Sequence, residues 1–390
     1  MEQPIERRTA ATSQSRTFDR ASLPGQVVLV LQGGGALGSY QAGVYQALQE
    51  AGIEPDWIVG TSIGAINASL IAGNAPQDRP ARLIEFWSRV QRAHPWDLHG
   101  VLPRSADKWS YWTTLTHGIP GFFMPNPFAH AGDRYPLGTD HAGYYSTAPL
   151  EATLAELVEF DLVNKGSPRL TVGAAHVRTS HMTYFDSRHC KLDVKHIMAS
   201  GALPPAFPAV RVNDELYWDG GILSNTPTEV VLDDNPRKDS LIFTVHLWNP
   251  VGAEPTNMAE VLNRYKDVQY SSRIASQITR HQQTHRLRHV INELASRLPD
   301  GERSKPEVRE LLSYGCQTRM HVVQLLAPQL DYEDHTKDID FSPAGIRQRW
   351  DAGYAHTRAV LAREPWVGQF DPLSGVILHE SKALTALAAE

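Results

Sequence analysis

Two glycine-rich turns contain the residues whose types and spacing suggest chemistry. The first is Gly33, Gly34 and Gly35 in "GGGALG", and the second is "GTSIG" with Ser62 at its centre. A serine in a G-x-S-x-G pentapeptide between a strand and a helix stands on a sharp turn with its hydroxyl exposed, as a nucleophile requires. The following helix would direct its positive N-terminal end at developing negative charge. Ser62 is therefore predicted to be a nucleophile.

The first turn also matches two nucleotide-binding patterns. Gly33, Gly35 and Gly38 fit the dinucleotide fingerprint G-x-G-x-x-G, and Asp56 follows at about the expected 20 residues. Asp56, however, precedes the second predicted strand, whereas a ribose-binding acid should end it. Ser39 occupies the position that a Walker A loop gives to its lysine. Both nucleotide interpretations are therefore disfavoured, and no cofactor is predicted.

The elements around the turns indicate a parallel sheet. Short apolar runs predict strands and periodic apolar positions predict helices, in the order strand Val27 to Leu31, helix Ser39 to Ala51, strand Asp56 to Gly60, helix Ser62 to Gly73. A strand-helix-strand-helix order favours parallel pairing. Neighbouring parallel strands bring their C-terminal ends together, so the amides of Gly33, Gly34 and Gly35 are expected beside Ser62, where they would hold an oxyanion.

A nucleophilic serine needs a proton acceptor within hydrogen-bonding reach. Asp219 ends the predicted strand "ELYWD" and is followed by two glycines, which leave its carboxylate uncrowded. Asp219 followed by His246 would match the order of the acid and the histidine in α/β-hydrolases. The chain has 17 histidines, so finding one downstream is uninformative, and a histidine inside a strand is usually a core residue. Asp219 itself is the predicted base, and partial burial would raise its pKa.

These motifs resemble those of the bacterial patatin-like phospholipases. "GGGALG" is similar to the family's oxyanion loop, "GTSIG" to its nucleophile turn and "DGG" to its aspartate motif, while "ASGALPPAFPAV" and "SNTP" resemble its connectors. The similarity runs from about Val27 to Trp248. The resemblance implies a three-layer α/β/α fold with a mostly parallel central sheet and a Ser62–Asp219 dyad without histidine. It also implies that the amides of Gly33, Gly34 and Gly35 form the oxyanion hole.

The chain is predicted to have three regions. Residues 1–25 form a disordered lead-in, residues 26–250 a patatin-like catalytic domain, and residues 251–390 a mainly helical extension packed on the core. The ending "FSPAGIRQRWDAGYAHTRAVL" resembles a C-terminal extension of one bacterial subgroup. An aromatic-rich insertion at about 94–145 is either a lid or a long loop attached by its own aromatic side chains, which include Trp109, Trp112, Phe122, Phe123 and Phe128.

Composition excludes several classes of function. The 390 residues carry a net charge of −6, which disfavours a nucleic-acid partner. Two cysteines do not make a disulfide framework and fit a reducing compartment. The N-terminus lacks the apolar segment of a secretory signal, and no window has the roughly 18 apolar residues of a spanning helix. A cytoplasmic protein is predicted, with peripheral membrane contact left open.

One histidine stripe suggests a metal site at first sight. His281, His285, His289 and Glu293 recur every four residues on a long predicted helix. The segment lacks the glutamate of H-E-x-x-H, and a stripe with a step of four winds around the helix instead of converging on one point. We therefore predict no metal, and expect a solvated or partner-facing basic stripe.

The predicted function is hydrolysis of carboxylic esters of lipids or lipid-like compounds through an acyl-serine. Leu37 stands where the family usually has arginine or lysine, which favours neutral or short-chain esters over phosphate-bearing ones. The alternative is a non-catalytic protein that binds a lipid or another ligand on the same scaffold.

Overall fold

The predicted buried strands meet in one central sheet. The structure is a computed structural model that describes residues 17–92, 114, 116–130, 134–271, 274–330 and 333–379. Its strands are β1 Gln26–Leu31, β2 Trp57–Thr61, β3 Met124–Pro125, β4 Tyr145–Ser146, β5 Arg169–His176, β6 Met182–Asp186, β7 Val210–Val212, β8 Glu215–Asp219, β9 Ser240–His246, β10 Met320–Leu326 and β11 Val376–His379. All except β3 and β4, which pair with each other, belong to the central sheet.

The sheet is mostly parallel, as predicted. Six strands run parallel in the order β11-β10-β9-β1-β2-β5, and this arrangement places the C-terminal ends of β1 and β2 side by side. At the end of the sheet that contains β5, strands β6 and β8 are antiparallel to β5, and β7 is antiparallel to β8. Both glycine-rich turns, which follow β1 and β2, therefore lie next to each other at the C-terminal ends of these strands.

Helices cover both faces of the sheet. They are α1 Ser39–Glu50, α2 Ile63–Ala72, α3 Arg79–Arg89, α4 Ala148–Leu157, α5 Phe160–Val163, α6 Val194–Ser200, α7 Glu229–Leu232, α8 Met258–Ser271, α9 Ile274–Ser296, α10 Asp300–Arg303, α11 Pro306–Leu312 and α12 Pro343–Arg363. Alternate residues of β1 enter two different apolar clusters, with Leu29 in the larger cluster and Val30 in the smaller one. The fold is therefore the predicted α/β type. No helix of the described ranges is both long and apolar enough to cross a bilayer.

The C-terminal region completes the sheet as well as adding helices. β10 pairs with β9, and β11 pairs with β10, so the predicted boundary at residue 250 falls between strands of the same sheet. Helix α12 packs closely on α1 at two glycines. A Cβ atom at Gly43 would lie 1.9 Å from the Trp350 carbonyl oxygen, and one at Gly353 would lie 2.1 Å from that of Tyr40. The described part of the region after residue 250 therefore continues the same sheet.

Part of the predicted lead-in is ordered. Phe18 is buried, its ring centroid lies 6.0 Å from that of Trp366, and its amide donates to the Ala51 carbonyl over 2.8 Å. Residues 17–25 therefore pack on the body because an aromatic side chain and a backbone hydrogen bond attach them. Residues 1–16 lie outside the described residues.

The histidine stripe is not solvated. His285 is fully buried, with Nε2 3.0 Å from the Leu232 carbonyl oxygen, and His289 is buried with Nε2 2.9 Å from that of Thr318. The expectation of an exposed basic stripe is wrong for these two residues, because α9 packs them against the ends of neighbouring elements. The described residues contain no group of His, Cys, Asp and Glu side chains arranged for a metal ion.

The glycine contact between α1 and α12 leads to a stability prediction. Gly43→Ala should lower the free energy of unfolding by about 1–3 kcal/mol, because the added methyl group would overlap the Trp350 carbonyl and force the helices apart. Urea denaturation measures the effect. Gly301→Ala is the matched control, since a Cβ atom there meets nothing within 4 Å. Equal effects of the two substitutions would contradict the proposed close packing.

Candidate active site

Ser62 occupies a strained turn between β2 and α2. Its backbone has φ 57° and ψ −126°, a conformation that residues with side chains rarely adopt. The two flanking glycines make the turn sterically possible. A Cβ atom at Gly60 would lie 2.4 Å from the Gly64 carbonyl oxygen, and one at Gly64 would lie 2.2 Å from that of Leu31. The G-x-S-x-G spacing therefore has a direct steric cause here.

Ser200 supports this strained turn from α6. The Ser62 amide donates to Ser200 Oγ over 3.0 Å, and the Ser200 hydroxyl donates to the Gly173 carbonyl over 2.6 Å. Ser200 is completely buried, and its hydrogen bond to Gly173 is buried with it. This serine belongs to the "ASGALPPAF" segment, whose motif resemblance was visible in the sequence although its contacts were not.

Strand β5 brings the serine and the aspartate together. Gly173 is paired with Thr61 of β2 and with β6, while the next residue, Ala174, is paired with Asp219 of β8 and with β6. Since a residue in a sheet has only two neighbours, β2 and β8 must share the edge of β5 that faces away from β6. The two strands run in opposite directions and meet end to end there. Ser62, which follows Thr61, is thereby placed against Asp219.

Asp219 is buried beside the serine. Its carboxylate accepts a hydrogen bond from the Gly221 amide over 2.7 Å. Burial raises the pKa of Asp219 to about 6, and the nearby Ser62 side chain and the Gly221 amide oppose part of that rise. Gly220 permits the close approach, because a Cβ atom there would lie 2.5 Å from the Gly173 carbonyl oxygen.

The first glycine-rich turn lies beside Ser62, but its three amides are not equivalent. A Cβ atom at Gly33 would lie 3.0 Å from Ser62 Cβ, which shows how close the two turns are. The Gly33 amide itself donates to the Asn225 carbonyl over 3.2 Å, so it is not free to bind an oxyanion. Within the described chain, the amides of Gly34 and Gly35 donate to no backbone carbonyl. The predicted trio is thus reduced to two available donors.

Side chains that the sequence analysis missed hold the first turn in place. The Gly33 carbonyl accepts hydrogen bonds from Asn225 Nδ2 over 3.1 Å and from Trp248 Nε1 over 2.8 Å. Gln32 Oε1 accepts from the Trp248 amide over 3.1 Å, and Gln32 Nε2 donates to Thr226 Oγ1 over 2.7 Å. The "SNTP" segment was the one available signal, because it contains both Asn225 and Thr226.

His246 takes no part in this arrangement. Its Nε2 lies 3.0 Å from Thr244 Oγ1, and burial lowers its pKa to about 4. His246 is therefore a neutral core residue at pH 7, as expected for a histidine inside a strand. Leu37 is also buried in the core and does not line the cavity beside Ser62. Any effect of Leu37 on substrate preference would thus be exerted without direct contact.

An apolar cavity of about 180 Å³ opens next to Ser62 and Asp219. The glycine-rich turn, Ser62 and Asp219 form its polar lining. The remaining walls come from α2, the insertion, the segment after α6 and the C-terminal region, and include Ile63, Ile66, Phe122, Phe123, Tyr145, Leu203, Phe207, Trp248, Tyr270, Ile339 and Phe341. Phe122 and Phe123 are buried, while Phe128 is 63% exposed. Phe122 and Phe123 therefore attach the described part of the insertion to the body, while Trp109 and Trp112 lie outside the described residues.

Comparison with known proteins identifies the family. A family model described as patatin-like phospholipase matches residues 29–232, just over half of the chain. The chain belongs to the patatin-like phospholipase family. A second model, described as patatin phospholipase, matches residues 268–373 and so covers much of the C-terminal region of this patatin-like protein.

Individual relatives are much longer than this patatin-like chain. It is 61% identical over 250 residues to lysophospholipase nte1 of Aspergillus terreus, covering 59% of this chain and 14% of that protein. It is 29% identical over 215 residues to an uncharacterized NTE family protein of Mycobacterium tuberculosis, covering 53% and 28% respectively. Among solved structures, VipD of Legionella pneumophila aligns with 91% of this chain and 72% of its own, at 13% identity and a TM-score of 0.37.

The buried carboxylate leads to a prediction about stability and pH. The pKa of Asp219 is higher in the folded protein than its ordinary value of 3.8, so the folded state binds the proton more tightly than the unfolded state. Stability is therefore lost as pH rises through about 4 to 6. Asp219→Asn should be more stable than the wild type by about 2 kcal/mol at pH 8, and the gain should largely vanish near pH 4.

Urea denaturation of both proteins at the two pH values measures this difference. Asp214→Asn, at an exposed turn position, is the control and should give the same free energy of unfolding relative to wild type at both pH values. A gain for Asp219→Asn that does not depend on pH would contradict the raised pKa.

Proposed function

We propose that this protein is a serine acyl hydrolase that cleaves carboxylic ester bonds of lipids or lipid-like compounds. The observation that carries the proposal is the placement of Ser62 against the buried Asp219 carboxylate, where both residues line one apolar cavity. The family membership and the lysophospholipase name of a relative support the same class of reaction. We also propose that the chain is a patatin-like phospholipase of the bacterial type that carries a C-terminal extension.

Acylation would begin with attack of Ser62 Oγ on the ester carbonyl carbon. Asp219 accepts the hydroxyl proton during the attack, and its pKa near 6 leaves it ionised at neutral pH yet basic enough for this role. The carbonyl oxygen becomes an oxyanion, for which the amides of Gly34 and Gly35 are the free donors. The N-terminus of α2 adds a favourable dipole. Collapse of the intermediate breaks the ester bond, and the departing alcohol takes the proton from Asp219.

Deacylation would use the same groups with water as the nucleophile. Asp219 accepts a proton from water as the water oxygen attacks the acyl carbon, and the same two amides receive the second oxyanion. When this intermediate collapses, Ser62 Oγ leaves and recovers the proton. The products are a carboxylic acid, an alcohol and the free enzyme, so a single aspartate serves both half-reactions.

The size of the cavity favours substrates with one acyl chain. Ligand pockets commonly measure about 300–1,000 Å³, whereas this cavity measures about 180 Å³. We propose esters with a single acyl group, such as lysophospholipids or neutral monoacyl esters. Such substrates reach the protein from micelles or a membrane surface, so we include peripheral membrane contact and a cytoplasmic location in the proposal.

The nucleophile can be tested by covalent labelling. A fluorophosphonate probe should label the wild type at Ser62, while Ser62→Ala should fold normally, resist labelling and lose at least a thousandfold in hydrolysis of p-nitrophenyl esters, as expected when a nucleophile is removed. Mass spectrometry of the labelled peptide identifies the residue. A folded wild-type protein that is neither labelled nor active would favour the alternative, a non-catalytic lipid-binding protein.

The base can be tested by the pH dependence of the rate. Because Asp219 must be ionised to accept the proton, kcat/KM should rise with pH through about 6 and then level off. Asp219→Asn should abolish the activity. His246→Gln should retain the midpoint near 6, since that imidazole is hydrogen-bonded to Thr244 and lies outside the cavity. A midpoint that moves in His246→Gln would point to histidine as the base.

A further inference from the structure

A short segment of the C-terminal region covers part of the proposed active site. It comprises residues 337–341 and lies between β10 and α12. A Cβ atom at Gly35 would lie 2.2 Å from the Asp338 carbonyl oxygen, so the segment packs directly on the glycine-rich turn. Ile339 and Phe341 contribute apolar side chains to the cavity. The segment therefore contacts both the polar lining of the cavity and its apolar walls.

Buried charges fix one end of this segment to α8. Lys337 Nζ lies 2.8 Å from Asp267 Oδ1, and both side chains are at least 93% buried. Lys266 Nζ, also on α8, lies 2.6 Å from Asp338 Oδ1. Breaking a buried ion pair is costly because the remaining partner is left unpaired. These pairs therefore restrain the backbone on the N-terminal side of Ile339.

The other end of the segment is fixed from α12 and from the insertion boundary. Buried Arg349 donates to the Asp340 carbonyl over 2.9 Å and pairs with Glu333 over 2.8 Å. The Phe341 carbonyl accepts a hydrogen bond from the Arg92 amide over 3.0 Å. With both ends restrained, the side chains of the segment have little freedom to withdraw from the cavity.

The segment meets aromatic side chains of the insertion across the cavity. The ring centroids of Phe341 and Phe122 are 5.8 Å apart, and Phe122 lies 5.7 Å from Phe123 and 6.2 Å from Phe207. These distances are typical of contacting aromatic rings. Aromatic rings from three separate parts of the chain thus line the cavity, and the C-terminal segment contributes one of them.

We propose that Ile339 and Phe341 are specificity-determining residues that limit the length of the acyl group. The proposal rests on the ester hydrolysis proposed above and assigns one function of the C-terminal region in that reaction. Smaller side chains at these positions would enlarge the apolar part of the cavity without replacing Ser62, Asp219 or the glycines of the first turn. Longer acyl groups would then be accommodated.

The proposal predicts a shift in the chain-length profile. Ile339→Ala and Phe341→Leu should raise kcat/KM for p-nitrophenyl dodecanoate relative to p-nitrophenyl butanoate by about tenfold, the scale of discrimination that a hydrophobic pocket provides. Ile339→Val should give a smaller shift in the same direction. Ile84→Ala, at a position that is 55% exposed on α3, is the control and should leave the ratio unchanged. Ratios for the two cavity variants equal to that of Ile84→Ala would overturn the proposal.

A binding experiment separates this inference from the proposed reaction. Dodecanoic and octanoic acids are titrated by calorimetry into Ser62→Ala and into Ser62→Ala combined with Ile339→Ala, after circular dichroism has shown that both are folded. The double variant should shift the affinity ratio about tenfold towards the longer acid. An unchanged ratio, or no binding of either acid, would overturn the inference. Failure of the wild type to hydrolyse any ester would instead overturn the proposed function.

Discussion

The placement of Ser62 against Asp219 depends on one edge of one strand. β2 and β8 approach each other head-on along β5, so the serine that follows one strand meets the aspartate that ends the other. The relative position of the two residues is therefore set by the regular geometry of the sheet. A shift of β8 by one residue along β5 would move the carboxylate away from the hydroxyl and reverse the faces of its side chains.

Two features of this arrangement cost free energy, and neighbouring residues offset part of that cost. Ser62 has an unfavourable backbone conformation, and the ionised form of Asp219 is disfavoured by burial. Ser200 and the Gly221 amide compensate in part, since each forms a hydrogen bond with one member of the pair. Burial disfavours the ionised carboxylate and thereby raises its pKa into the range suited to a proton acceptor. The free-energy cost and the proposed chemistry therefore have the same physical cause.

Sequence reasoning predicted the central sheet and the motifs well because both are local signals. The apolar runs of β1 and β2, the glycines of "GTSIG" and the "DGG" turn are short patterns with a direct steric meaning. The contacts of Ser200, Asn225 and Trp248 were missed because they join residues far apart in sequence, and nothing local distinguishes such a side chain from an ordinary polar or aromatic one. The hydrogen bond from the Gly33 amide to the Asn225 carbonyl was missed for the same reason, because the two residues are 192 positions apart along the chain.

The C-terminal region was predicted as a mainly helical extension packed on the core, whereas in the structure its strand β10 lies directly against β9. A chain cut near residue 250 would keep the serine, the aspartate and the glycine-rich turn, but it would lose the neighbour of β9. The unpaired amides and carbonyls of that strand would then form an exposed apolar edge, the kind of surface on which other chains assemble. In this architecture β10 and β11 thus cover an edge of the sheet that would otherwise be open to other chains.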